Sequence, residues 1–193
     1  MLDFLNQYRV FEAVPLDGDI SYAELASKVG VSESILRRVI RHSITQHTFA
    51  ETKPGAGRVV HTANSAFVAR TPLMKSWFGH NFEECAAGSL KQVEVIRTYG
   101  DSQEPNESAE CIALSGGLPE EGKTIFDFFE TDGEGERKGW RMRRFREGMR
   151  SATQTGAYSG HHVHVGLDWD ALGDATVVDV DLPDPYLGLP GMC

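Results

Sequence analysis

Apolar side chains recur at helical spacing through the first third of the chain. Leu2, Leu5, Tyr8, Val10 and Phe11 predict one helix that stops before Pro15-Leu16-Asp17-Gly18. Ser21 with Glu24 three residues on predicts a capping box, each side chain accepting from the other's backbone N–H. From it a second helix runs through Ala23, Leu25, Ala26 and Val29 to Gly30, a natural stop. Ser32 caps a third, with the stripe Ile35, Leu36, Val39, Ile40 and Ile44. Thr48–Glu51 and Arg58–His61 then read as strands around Pro54-Gly55-Ala56-Gly57. Helix, tight glycine turn, helix and hairpin together are the plan of a winged helix over residues 1–62.

Periodicity is less regular beyond residue 62. Thr71-Pro72 reads as an N-cap and first helical position, opening a helix through Leu73, Met74, Trp77 and Phe78 toward Leu90, Val93 and Ile96. Residues 99–109 read as a polar loop. Thr124–Phe129 predicts a short, strongly apolar helix, broken at Asp132-Gly133-Glu134-Gly135. A basic helix over 136–152 follows, with Met142, Phe145, Met149 and Ala152 within about 80° of arc. Leu167–Gly173 predicts a turn of helix, and Ala175–Val180 a short buried strand. The proline- and glycine-rich run after Val180 admits neither a central strand nor a helix.

Charge divides the chain at the same places. Residues 1–62 balance at net 0, residues 63–135 carry −8, residues 136–150 carry +5, and residues 151–193 carry −6, together −9. That balance disfavours a general polyanion binder. No run approaches the roughly 18 apolar residues of a membrane span, and the N-terminus lacks the basic start of a signal peptide. Cys85, Cys111 and Cys193 are odd in number and far apart, which points to reduced thiols and a cytoplasmic location. At 193 residues the expectation is one domain plus a fragment.

Six stretches in order carry a resemblance: SYAELASKVGVSESILRRVIRH, VVHTANSAFVA, DSQEPNES, TIFDFFE, RRFREGMRSA and LDWDALGDATVVDV. Together they resemble the fungal secondary-metabolite O-methyltransferases that use S-adenosylmethionine. The resemblance implies a winged-helix dimerisation-type domain over 1–62, a helical substrate-lining region over 63–170, and the start of a Rossmann-like cofactor domain over 171–193. The fold expected is thus mainly α, with one leftover Rossmann-like strand. The implied partners are a small phenolic or polyketide substrate and a second copy of the chain. Phe145 and Met149 match family residues that face substrate and cofactor. Asp179 matches the acidic end of the first cofactor-domain strand.

The family continues from that strand into a glycine-rich loop, which lets the backbone approach the cofactor before a helix N-terminus. Here Asp181-Leu182-Pro183-Asp184-Pro185 follows. Proline supplies neither the positive φ nor the N–H such a loop needs. The expectation is therefore a truncated front part, with no catalytic base of its own, no binding of S-adenosylmethionine and no methyl transfer by this chain alone. Two other readings are a non-catalytic dimerisation or binding partner and a winged-helix DNA-binding regulator. Some members of the resembled family run pericyclic or dehydrative chemistry instead of methylation.

Other candidate chemistry reads weaker than its plain alternative. Arg37, Arg38 and Arg41 offer phosphate contacts, but Glu33 sits at the end of that helix which would enter a groove. His162 and His164, taken as an extended segment, would share a side, yet lack further ligands, so no metal is expected. The seven basic residues of 136–150 read as a solvated face pairing with the acidic block before it. Phe145 and Met149 suit a core wall as well as a pocket wall. Glu83-Glu84 and Glu120-Glu121 diverge by about 100° on a helix and do not share a proton.

Overall fold

A computed structural model describes residues 1–114, 123–154 and 159–176. Among these the chain is mainly helical, with one three-stranded antiparallel sheet. The expected first helix is two: α1 (Leu2–Gln7) and α2 (Val10–Ala13). Arg9 separates them with φ 54, a left-handed conformation that a non-glycine residue rarely adopts. The break turns Val10, Phe11 and Val14 into the same core as Leu5.

α3 (Tyr22–Val29) begins at the predicted capping box, with Ser21 Oγ accepting from Glu24 N–H and Glu24 Oε2 accepting from Ser21 N–H. It ends at Gly30, whose φ of 70 is the left-handed stop. α4 (Glu33–Thr45) follows; Ser32 sits at its N-cap position without a side-chain cap bond. The hairpin forms as expected from β2 (Phe49–Glu51) and β3 (Arg58–His61). A strand the sequence did not signal, β1 (Ile20–Ser21), pairs with the other edge of β3, giving the order β1-β3-β2. Two residues are too few to display a period of two. Leu5, Phe11, Tyr22, Leu25, Leu36, Ile40, Phe49 and Val59 are buried together in one core.

His61 ties the hairpin to its neighbours. Its ring nitrogens meet Ser65 Oγ at 2.9 Å and the Val14 carbonyl at 3.1 Å. Burial holds its pKa below the ordinary histidine value. Ser65 also completes the Thr62 capping box that starts α5 (Ala63–Arg70).

Thr71 is the C-cap of α5 and not, as the Thr-Pro pair suggested, the start of the next helix. That helix, α6 (Met74–Gly79), has Leu73 at its N-cap and continues into a π-helical stretch, His80–Cys85. α7 (Ala86–Ser89) and α8 (Gln92–Tyr99) come next. Leu90, Val93 and Ile96 are 87%, 60% and 65% exposed, so they do not continue the buried stripe. After the loop, α9 (Ala109–Leu114) buries Cys111 and Ile112. α10 (Ile125–Thr131) opens on a Thr124–Asp127 capping box, and α11 (Trp140–Gln154) starts four residues later than the charge pattern suggested. α12 (His161–Gly166) makes the histidine run helical, not extended. The predicted strand at 175–180 lies mostly outside the described residues, as does Asp179. No helix among the described residues is long and apolar enough to cross a membrane.

Candidate functional site

The densest chemistry lies where α11 crosses α6 and the π-helical stretch. Gly148 of α11 permits the crossing: a Cβ there would lie 3.3 Å from the Trp77 Cα. At Gly79 a Cβ would meet Arg144 Cδ at 3.0 Å, so its absence leaves room for that side chain. Ser151 Oγ reaches Met74 Sδ at 3.2 Å, and Ser76 Oγ donates to Glu147 Oε2 at 2.5 Å. The face of α11 that meets α6 is therefore small and polar. The apolar stripe of Met142, Phe145, Met149 and Ala152 lies beside that face. A hydrophobic pattern alone does not reveal it.

Glu84 sits at the centre of this crossing, 1% exposed. Its Oε1 accepts from Arg141 Nη1 at 2.5 Å and from Arg144 Nη2. Its Oε2 accepts from His80 Nδ1 at 3.1 Å. Arg141 Nε also donates to Asp132 Oδ2 at 2.7 Å, and Arg144 Nη1 pairs with Glu83 Oε2 at 2.8 Å. Both guanidinium groups stack on the Trp140 ring, at 4.4 and 4.5 Å from its centroid. Burial alone would raise the Glu84 carboxyl pKa. The hydrogen bonds from His80, Arg144 and Arg141 outweigh it and hold the group below the usual carboxylate range. The expected pairing of the basic helix with the acidic block is thus present, but at Arg141 and Arg144 it is buried, not solvated.

Phe145 belongs to an aromatic cluster on the same helix. Its ring lies 5.1 Å from His80, 5.5 Å from Phe126 and 6.1 Å from Phe129. Phe129 is 1% exposed and Phe126 is 43% exposed, so the cluster runs from the interior to the surface. Met149, one turn beyond Phe145, is half-buried. His80 Nε2 approaches Cys85 Sγ at 3.4 Å. Burial, reinforced by the nearby Glu110, pushes the Cys85 thiol up to about 11, so it is a poor nucleophile near neutral pH.

Elsewhere the candidates separate. In α12, His162 and His164 are about 200° apart around the helix axis, which removes the shared side expected of a metal pair. No group of three His, Cys, Asp or Glu among the described residues is arranged to hold a metal ion. Arg37 turns back to Glu33 at 2.7 Å and lies 4.7 Å over the Tyr22 ring. The glycine-rich loop that would cradle S-adenosylmethionine has no counterpart among the described residues.

Three curated relatives align with nearly the whole chain. O-methyltransferase aurJ of Gibberella zeae is 31% identical over 92% of this chain, O-methyltransferase aunD of Aspergillus niger is 30% identical over 92%, and O-methyltransferase lcsG of Purpureocillium lilacinum is 31% identical over 93%. The chain spans 37%, 39% and 40% of their respective lengths. Among solved structures, a LepI complex with SAM superposes with TM-score 0.62 at 15% identity, covering 76% of this chain and 35% of that one. A LepI variant in complex with SAH and a substrate analogue gives 0.65 at 14% identity, covering 90% and 40%. No family model matches.

Proposed function

We propose that this chain, a relative of the fungal secondary-metabolite O-methyltransferases, forms the substrate-side part of such an enzyme. Residues 1–62 serve as a winged-helix dimerisation module. Residues 63–170 line the pocket for a small phenolic or polyketide substrate, and residues 171–193 begin the cofactor domain. The observation that carries this reading is the alignment of more than nine-tenths of the chain with O-methyltransferases of which it spans about two-fifths.

In this reading Phe145 and Met149 face the substrate. The aromatic cluster supports the role, because Phe126 and Phe145 offer ring faces and edges to a flat aromatic guest and exclude water from it. The Glu84 network supports it by fixing α11, and with it Phe145, against α6. Holding a reactant within a narrow range of orientations is a large share of catalysis in a positioning enzyme. S-adenosylmethionine supplies the methyl group in this family, and Asp179 is the one residue of the chain matched to its binding.

A DNA-binding role is the weaker reading, because Arg37 is turned onto Glu33 and Tyr22 within its own domain. For the 193-residue chain alone, titration with S-adenosylmethionine in a calorimeter is expected to give no micromolar binding. Pro183 and Pro185 stand where the loop needs glycine and free N–H groups. Micromolar heats with saturation would overturn that expectation.

A further inference from the structure

Glu84 does more than join two helices. Its Oε1 faces the arginines of α11, while its Oε2 faces His80 Nδ1 at 3.1 Å. A carboxylate accepts hydrogen bonds and donates none, so the proton of a neutral His80 must sit on Nδ1. Nε2 then carries the lone pair, 3.4 Å from Cys85 Sγ. Burial and a hydrogen bond to Glu110 hold the Cys85 thiol protonated, so its S–H has a carboxylate acceptor of its own and the Nε2 lone pair stays available. His80 is 8% exposed, and its ring lies edge-on to Phe145 and Phe129. The π-helical stretch that contains His80, Glu84 and Cys85 widens the backbone where these side chains converge.

We propose that Glu84 is a positioning residue that holds the neutral form of His80 in the Nδ1–H tautomer, so that in this form Nε2 is the hydrogen-bond acceptor in the aromatic wall beside Phe145. The role rests on the reading of residues 63–170 as the substrate-lining region. A hydroxylated aromatic compound is the class of ligand such an acceptor orients, because the rings take its apolar faces and Nε2 takes its O–H. Arg141 and Arg144 keep Glu84 ionised and leave its second oxygen to the imidazole.

The test is a long-range ¹⁵N–¹H correlation spectrum of the full 193-residue chain at neutral pH, with His80 assigned by the signals lost in H80Q. The expected pattern is protonated Nδ1 and unprotonated Nε2, the reverse of the preference of a free histidine. In E84Q, where the amide presents either an oxygen or an NH₂ to Nδ1, the pattern is expected to move toward a mixture of tautomers, and E84D is expected to restore it. A merely structural Glu84 would leave the pattern unchanged in E84Q. Protonated Nε2 in the unsubstituted chain overturns the proposal whether or not any variant folds. The readout needs no cofactor and no turnover, so it fails or succeeds separately from methyl transfer.

Discussion

Glu84→Ala is expected to destabilise the chain by about 3 kcal/mol or more, read as the shift in a urea unfolding midpoint. The loss comes less from the bonds removed than from the charges left behind. Arg141 and Arg144 have side chains only 18% and 13% exposed, and each loses the carboxylate oxygen it shares. Among the described residues, Arg144 Nε already lacks a hydrogen-bond partner. Glu83 and Asp132 remain as partners, which places the cost at the lower end of the usual range for a broken buried pair. The effect also has a pH signature. The Glu84 pKa is depressed in the folded chain, so its contribution is fully present above the ordinary carboxylate value and is lost as pH falls through the lower, folded value. The difference between the parent chain and Glu84→Ala is therefore expected to shrink in acid. A difference that stays constant from neutral pH down through the carboxylate range would contradict an ionised Glu84.

The other large effect is expected in the N-terminal core. Phe11 is 2% exposed and stacks on Phe49 at 5.6 Å and on Phe78 at 6.0 Å. Phe11→Ala leaves a cavity that both elements border, at a cost of about 3–5 kcal/mol. Phe78 belongs to α6, which also packs against α11. The lesion is therefore expected to loosen the helical layer as well as the sheet. Native-state hydrogen exchange would read this as lost protection on both sides of Phe78. Loss confined to residues 1–62 would mean that the two regions are energetically separate.

Much of the N-terminal third was legible because its signals are local. A capping box spans three residues, a stop needs one glycine, and a hairpin needs a turn between two β-prone runs. Ser21, Gly30 and the Phe49–His61 hairpin all act over such distances. The break at Arg9 carried no such mark, since arginine has no preference for the left-handed region and Asn6, which tolerates it, lies three residues earlier. The fate of Glu84 was hidden for a different reason. Its arginine partners lie 57 and 60 residues away, beyond the reach of any local pattern. Helical angles set the two carboxylates, Glu83 and Glu84, apart, although both reach the guanidinium of Arg144. The angles do not tell which one points inward, because the choice depends on how α11 crosses α6 at Gly148.

The same distinction applies to Phe145 and Met149. Periodicity places them on one stripe of α11, and the structure gives Phe145 an aromatic neighbourhood that reaches the surface at Phe126. Methyl transfer tests whether that neighbourhood is a substrate wall. The most direct measurement joins residues 1–176 of this chain to the part of the Gibberella zeae O-methyltransferase that the chain does not span and follows labelled methyl transfer to that enzyme's own substrate. The expected result is measurable transfer, with Phe145→Ala raising KM while S-adenosylmethionine affinity stays unchanged. A chimera that folds and binds S-adenosylmethionine, yet transfers no methyl group or is indifferent to Phe145→Ala, would contradict the assignment of this chain as the substrate side of the enzyme.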